Sequence, residues 1–237
     1  MNAHHINYAD RRWLDHQVAN HQGAVATGAF ETCEMRGYEN LSACFREHNA
    51  GLLANERGAG YWVWKPEIID RRLHELPEYN ILMYTDSGTT WVGDPRTLFP
   101  LTSIQPVVGF YLVGTSDAQY SKRDTVLACM MENKLELPQI MGGVILLLNC
   151  TESRNFVREW RHLCEIPHLI DDSPSVMPPY GGFKEHRHDQ SIFSLLYKKK
   201  GYNPTFPAPT EWGDDHDARR RQWGYGKVLS HPGWVHP

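Results

Sequence analysis

Asn80-Ile81-Leu82-Met83-Tyr84-Thr85-Asp86-Ser87-Gly88 is the stretch on which the fold class turns. Residues 81–84 are continuously apolar, too short for a lone helix and without alternation, which is the pattern of a strand buried on both faces. The run ends in a carboxylate, a hydroxyl and a glycine able to take positive φ, a turn that also suits an anchored anion. Two further runs share this character: Val107-Val108-Gly109-Phe110-Tyr111-Leu112-Val113 and Val144-Ile145-Leu146-Leu147-Leu148.

Helical patterns lie between these runs. Pro66 opens one helix in its first turn, where a missing N–H costs nothing, and Ile68, Ile69, Leu73 and Leu76 then share a face. Thr151 or Ser153 caps another, in which Phe156, Val157, Trp160, Leu163 and Cys164 recur at helical spacing. A third runs from about Asp189 through Ile192, Phe193, Leu195 and Leu196, with Lys198, Lys199 and Lys200 at its negative end and Gly201 as its stop. Strands alternating with helices predict an α/β protein: a single Rossmann-like domain over 1–237, with a mostly parallel central sheet and helices on both faces. Ligands of such sheets sit beyond the carboxyl ends of the strands. The polar groups there are Asp86-Ser87-Gly88, Gly114-Thr115-Ser116-Asp117 and Asn149. Residues 204–237, with Trp212, Trp223 and Trp234, lack periodicity and read as an irregular C-terminal segment packing back on the domain, or as aromatics lining an acceptor groove.

Composition narrows the partners. The chain has 237 residues, 41% hydrophobic and 22% charged, which is ordinary globular usage and excludes disorder for the bulk. Its 24 Lys and Arg against 28 Asp and Glu leave a net charge of −4, without the basic excess that binds a nucleic acid. The longest aliphatic run, 144–148, is far short of the ~20 residues of a transmembrane segment. The first residues lack the basic and apolar regions of a signal peptide, so the expected location is cytoplasmic. Five cysteines, an odd number without a CxxC pair, argue against a disulfide frame and a cysteine zinc site, and read as buried free thiols.

Two segments besides Asp86 carry chemistry. Arg57-Gly58-Ala59-Gly60-Tyr61-Trp62-Val63-Trp64-Lys65-Pro66 offers backbone approach at its glycines, aromatic faces, and cations beside a helix start. It matches neither a Walker loop nor a GxGxxG fingerprint. Glu185-His186-Arg187-His188-Asp189-Gln190 crowds ionisable groups at another helix start, where Asp189 is either a cap or a functional carboxylate. His186, His188 and Asp189 also allow a metal-dependent hydrolase.

In order along the chain, Arg57 to Pro66, Tyr84-Thr85-Asp86-Ser87-Gly88, Met141-Gly142-Gly143-Val144 through Asn149, and His188-Asp189-Gln190 resemble glycosyltransferases of the GT-A fold. They are most similar to the bacterial and viral sets with RGxGYWxWKP and DxG segments, and to the glycogenin and lipopolysaccharide galactosyltransferase group. The resemblance covers residues 50–200. It implies a hexosyl or pentosyl transferase of glycan biosynthesis, moving a sugar from a nucleotide-diphosphate donor, UDP-linked, to a glycan or small hydroxyl acceptor.

The resemblance also implies roles. Asp86 holds the first position of the family's Asp-x-Asp motif, which contacts the donor and its metal. Gly88 stands at the third position, removing the principal ligand for Mn²⁺ or Mg²⁺. Gly226-Lys227-Val228-Leu229-Ser230-His231-Pro232 resembles the C-terminal strand whose histidine completes the metal shell, so the implied ligands are Asp86 and His231. Asp189 holds donor-sugar hydroxyls, and the Gln190 amide lies near the anomeric carbon. Gly142 and Gly143 lie beneath the sugars. Tyr8, on a first strand, meets the base, and Arg57, Trp64, Lys65 and His188 complete the donor site. With Gly88 in place of a carboxylate, Lys65, Arg57, Lys122 and Lys227 are candidates for cationic help at the diphosphate. A non-catalytic nucleotide- or sugar-binding domain of the same fold remains the alternative beside the hydrolase.

Overall fold

The structure, a computed structural model, describes residues 1–210 and 217–231. Trp212, Pro232 and Trp234 of the C-terminal segment lie outside the described residues.

A six-stranded sheet forms the centre, in the order β2-β1-β3-β6-β5-β7. Its strands are β1 (Ala3–Tyr8), β2 (Thr32–Arg36), β3 (Ile81–Thr85), β5 (Val107–Tyr111), β6 (Ile140–Leu148) and β7 (Phe206–Pro207). A two-stranded ribbon pairs β4 (Thr90–Trp91) with β8 (Leu229–Ser230). β6 is antiparallel to both β3 and β5, and the remaining pairs of the main sheet are parallel. The apolar runs are therefore strands of a mostly parallel sheet, as the sequence predicts.

The reversal of β6 corrects one expectation. Asn149, at its carboxyl end, lies at the opposite end of the strands from Asp86. Its Nδ2 donates to the carbonyls of Leu76 (2.8 Å) and Pro77 (3.0 Å), closing the turn before β3. The start of β6 takes its place at the ligand end: the strand extends back to Ile140 and includes Gly142 and Gly143.

The main helices are α1 (Leu14–Ala26), α2 (Trp64–Glu75), α3 (Thr151–Cys164) and α4 (His188–Lys199). Pro66 is the third residue of α2, still in the turn where no helical N–H is needed. α3 starts at Thr151 with Cys150, not Thr151 or Ser153, as its N-cap, and Ser153 in the first turn accepts the Cys150 N–H on its Oγ at 3.2 Å. Gly201, at φ +87°, ends α4 as expected. Ile68, Ile69 and Leu73 of α2, Trp160 of α3 and Phe193 of α4 pack on one sheet face against Leu82, Tyr84 and Ile145. The alternate residues Met83 and Leu146 face a second core, closed by Phe206, Tyr225 and Leu229. The described part of the C-terminal segment thus packs back on the sheet, with Trp223 edge-on to Phe206.

Lys198 is not a solvated helix-end charge. It is 1% exposed and ion-paired with the fully buried Asp117, which also accepts from Ser194 Oγ at 2.8 Å. Cys129 and Cys164 are buried free thiols, while Cys44 is exposed and Cys33 and Cys150 are half-buried. No helix among the described residues is long and apolar enough to cross a membrane.

Candidate active site

Three ionised side chains meet where β3 ends. Lys65, the second residue of α2, sends its Nζ to within 2.9 Å of Asp189 Oδ2 and 3.3 Å of Asp86 Oδ1. It also donates to the Gly142 carbonyl at 3.2 Å. The ammonium and Asp189 are 3% and 4% exposed, whereas Asp86 is 28% exposed and opens to solvent. Asp86 follows Tyr84 by two residues, and the Tyr84 hydroxyl donates to Asp86 Oδ1 at 2.6 Å. The glycines of β6 make this crowding possible. A Cβ at Gly143 would stand 2.8 Å from Asp86 Oδ2, and one at Gly142 would stand 3.1 Å from Gln190 Cβ.

Burial raises the Asp189 carboxyl to about 6 despite the opposing charge of Lys65. For Lys65, burial favours the neutral amine, but the charges of Asp189 and Asp86 outweigh it and hold the pKa above the ordinary lysine value. At neutral pH the trio is two carboxylates sharing one ammonium. Gln190 is largely committed within the protein: Oε1 accepts from the Gly142 N–H at 2.9 Å, and Nε2 donates to the side-chain Oε1 of Gln139 at 2.7 Å. One amide hydrogen remains for a ligand.

Beside the trio lies a cleft of about 320 Å³ whose walls include Tyr8, Arg12, Trp13, Trp64, Asp86 and Gly88. Tyr8 and Trp64 stack with centroids 3.7 Å apart, and the Trp64 indole donates to the Gly58 carbonyl at 2.9 Å. Residues 58–62 form this edge as a left-handed turn, with φ of +58° at Gly58, +51° at Ala59, +102° at Gly60, +54° at Tyr61 and +60° at Trp62. Non-glycine residues resist this conformation by ~1–2 kcal/mol each, so Ala59, Tyr61 and Trp62 store strain beside the cleft.

The structure thus gathers Lys65, Asp86, Gly142, Gly143, Asp189 and Gln190, and places Tyr8, Trp64 and Gly88 on the cleft walls. Other sequence candidates lie elsewhere. Arg57 is 49% exposed and bridges Asp172 (3.3 Å) and Glu185 (4.0 Å) instead of lining the cleft. His188 is buried at the start of α4, with Nδ1 on the Ile170 carbonyl at 2.7 Å and its ring against Tyr61 and Trp62. Lys122 is buried on Asp171 and Ser173, and Lys227 is exposed near the β4–β8 ribbon. Arg12 and Tyr84 escape sequence reasoning, although Tyr84 carries a signal: in a strand it shares a face with Asp86.

The hydrolase grouping is not assembled. His186 accepts the Lys122 N–H on Nδ1 (3.1 Å) and donates from Nε2 to the Leu169 carbonyl (2.9 Å), leaving no nitrogen for a metal. The implied Mn²⁺ or Mg²⁺ shell fares no better. β8 pairs with β4 so that Ser230, the residue before His231, faces Thr90. Yet Asp86 Oδ1 is already held by Lys65 and Tyr84, and Gly88 has no side chain to offer. Among the described residues no three His, Cys, Asp or Glu side chains gather to hold an ion. Among the described residues, no set of ligands for a divalent cation stands assembled at Asp86.

No protein-family model matches this chain, and no curated protein matches it in sequence. Solved structures do. The galactosyltransferase LgtC, in complex with donor and acceptor sugar analogues, aligns with TM-score 0.51 and 13% identity over 98% of this chain and 88% of that one. A glycosyltransferase involved in glycosylation of the major capsid of PBCV-1 aligns with TM-score 0.51 and 9% identity over 99% and 94%. The bifunctional glycosyltransferase WbbM aligns with TM-score 0.52 and 11% identity over 98% of this chain but 46% of that one. At these identities the likeness is one of fold, and the fold is that of GT-A glycosyltransferases.

Proposed function

We propose that this chain transfers a sugar from a nucleotide-diphosphate donor of the UDP class to a hydroxyl of a glycan or small acceptor. The observation that carries this reading is the Lys65-bridged pair Asp86 and Asp189, set at the end of β3 beside an aromatic-walled cleft. A GT-A fold whose relatives include an enzyme solved with donor and acceptor sugar analogues supports it.

The residues divide the work by position. Tyr8 and Trp64 form the apolar wall for the base, and exposed Asp86 accepts a hydroxyl of the ribose or sugar. Asp189, ionised above about pH 6, accepts a second sugar hydroxyl, and the remaining Gln190 amide hydrogen points the donor. The bare backbone of Gly142 and Gly143 lets Asp86, Asp189 and Gln190 close in on β6 where they can reach the sugar. In the reaction the acceptor oxygen bonds to the anomeric carbon as the bond from that carbon to the diphosphate breaks. The acceptor proton leaves with the departing diphosphate or a carboxylate, and the residues' part is to fix geometry and charge.

The test is thermal unfolding with UDP, GDP, CMP and ADP, followed by turnover of the matching nucleotide sugars. A nucleotide at ~100 times its Kd adds ~2.7 kcal/mol, which in a chain of this size is a Tm rise of ~5–10 °C. Asp86→Ala and Asp189→Ala each remove turnover with the fold retained. Binding without turnover assigns the chain to the non-catalytic alternative, and no response to any nucleotide overturns the reading.

A further inference from the structure

We propose that Lys65 is the resident counter-charge of this site and that a nucleoside diphosphate binds here without a divalent cation. The inference rests on the donor reading above and deepens it.

A bridging cation is needed where uncommitted carboxylates must be joined to a diphosphate of the same sign. Each carboxylate here already faces the Lys65 ammonium. The three hydrogens of Lys65 have three acceptors within reach: Asp189 Oδ2 at 2.9 Å, the Gly142 carbonyl at 3.2 Å and Asp86 Oδ1 at 3.3 Å. Lys65 does not swing in with a ligand, because it is nearly fully buried, springs from the first turn of α2, and follows Trp64, itself pinned by its indole to Gly58. A second cation on Asp86 would sit on a carboxylate that already holds an ammonium and a phenol hydroxyl. Gly88, two residues on, removes the side chain that would have outvoted them.

The cleft instead offers hydrogen-bond donors to an anion. The backbone N–H groups of Ser87 and Gly88 have no acceptor among the described contacts, and both residues line the cleft. Arg12 lies on the same wall, 54% exposed; its Nε and Nη2 donate to Asp10 Oδ2 (3.0 and 2.7 Å) and Nη2 also to the Glu56 carbonyl (2.7 Å), which leaves Nη1 for a ligand. A diphosphate leaning on these donors is held by hydrogen bonds without an ion between it and Asp86.

The experiment is calorimetric titration of the full chain with UDP in excess EDTA and again with Mn²⁺, alongside a paramagnetic resonance titration of Mn²⁺ alone. The expected result is a UDP affinity that agrees within about threefold between the two conditions, and Mn²⁺ that stays free when added alone. Lys65→Arg, which keeps the charge, retains EDTA binding within about tenfold, and Arg12→Ala weakens it by about tenfold or more. UDP binding that appears only with Mn²⁺ overturns the inference and leaves the transferase reading standing. Absence of binding by UDP, GDP, CMP and ADP in both conditions overturns the reading and the inference together.

Discussion

Replacing Lys65 with Met removes the ammonium while keeping the stem that fills the space below Asp86. What remains is a carboxylate at Asp189 that is almost wholly buried, with a second carboxylate nearby and no opposing charge. Breaking a buried pair from one side costs ~3–5 kcal/mol, a Tm loss of ~6–20 °C for a chain of this size. The loss also has a pH signature. With Lys65 present, burial already raises Asp189 to about 6, and Lys65 is the main influence holding it down. Its removal sends the folded-state value higher, while the unfolded value stays at ~3.9. A carboxyl whose folded pKa exceeds its unfolded one retains a proton that the unfolded chain gives up. Stability is therefore greatest at low pH and falls by ~1.4 kcal/mol per unit as pH rises through that window. The window closes near pH 6 in the parent chain and extends further up in Lys65→Met, so the gap between the two widens from pH 6 to 8. Urea unfolding followed by circular dichroism at half-unit pH steps measures it. A variant within ~1 kcal/mol of the parent at pH 8, or a deficit that does not change with pH, refutes the picture of Lys65 as the counter-charge of Asp189.

Gly143→Ala pushes a methyl against Asp86 Oδ2 at 2.8 Å, so nucleotide affinity falls and stability drops by ~1–3 kcal/mol, read by calorimetry and thermal melting. Ala59→Gly relieves a residue held at φ +51° and raises stability by ~0.5–1 kcal/mol after the entropy lost to glycine, a small upward shift in Tm. The pH profile of donor turnover has an acid limb near 6 that Asp189→Asn removes together with most of the rate, as stopped-time product assays across pH 5 to 8 report. Lys198→Met costs ~3–5 kcal/mol, and the double variant with Asp117→Leu recovers most of it in denaturant melts, because the pair is buried and each partner alone is the penalty.

The centre of the sheet was legible because β3, β5 and β6 are buried on both faces, and continuous apolar runs announce that directly. Direction was not, since an apolar run reads the same either way, and only the pairing of β6 shows that Gly142, not Asn149, stands at the ligand end. β2 and α1 left almost no signal. β2 is an edge strand of half-buried, mixed residues. α1 docks through amides: Asn7 donates to Asn20 Oδ1 at 2.7 Å, and Gln17 donates to Asn7 Oδ1 at 3.1 Å. Polar docking erases the hydrophobic stripe by which helices are found. In the site, Lys65, Asp86 and Asp189 could be named from local motifs, but their mutual contact spans three separate elements. Arg57 was misplaced for the converse reason: its motif is local, yet a left-handed turn that only Gly58 and Gly60 of its five residues signal begins immediately after it, and its guanidinium pairs with Asp172 and Glu185 instead.

Adjacent residues in a strand point to opposite faces, so two glycines in succession thin β6 to bare main chain on both sides at once. Asp86 comes down onto Gly143, and its N–H reaches the Gly143 carbonyl at 2.9 Å, while Gln190 and Asp189 crowd Gly142. The partition between the loop after β3 and the start of α4 is consequently a single peptide thick. No layer of side chains lies there to absorb a shift of α4 before it meets Asp86, so the two elements form one wall beside the cleft.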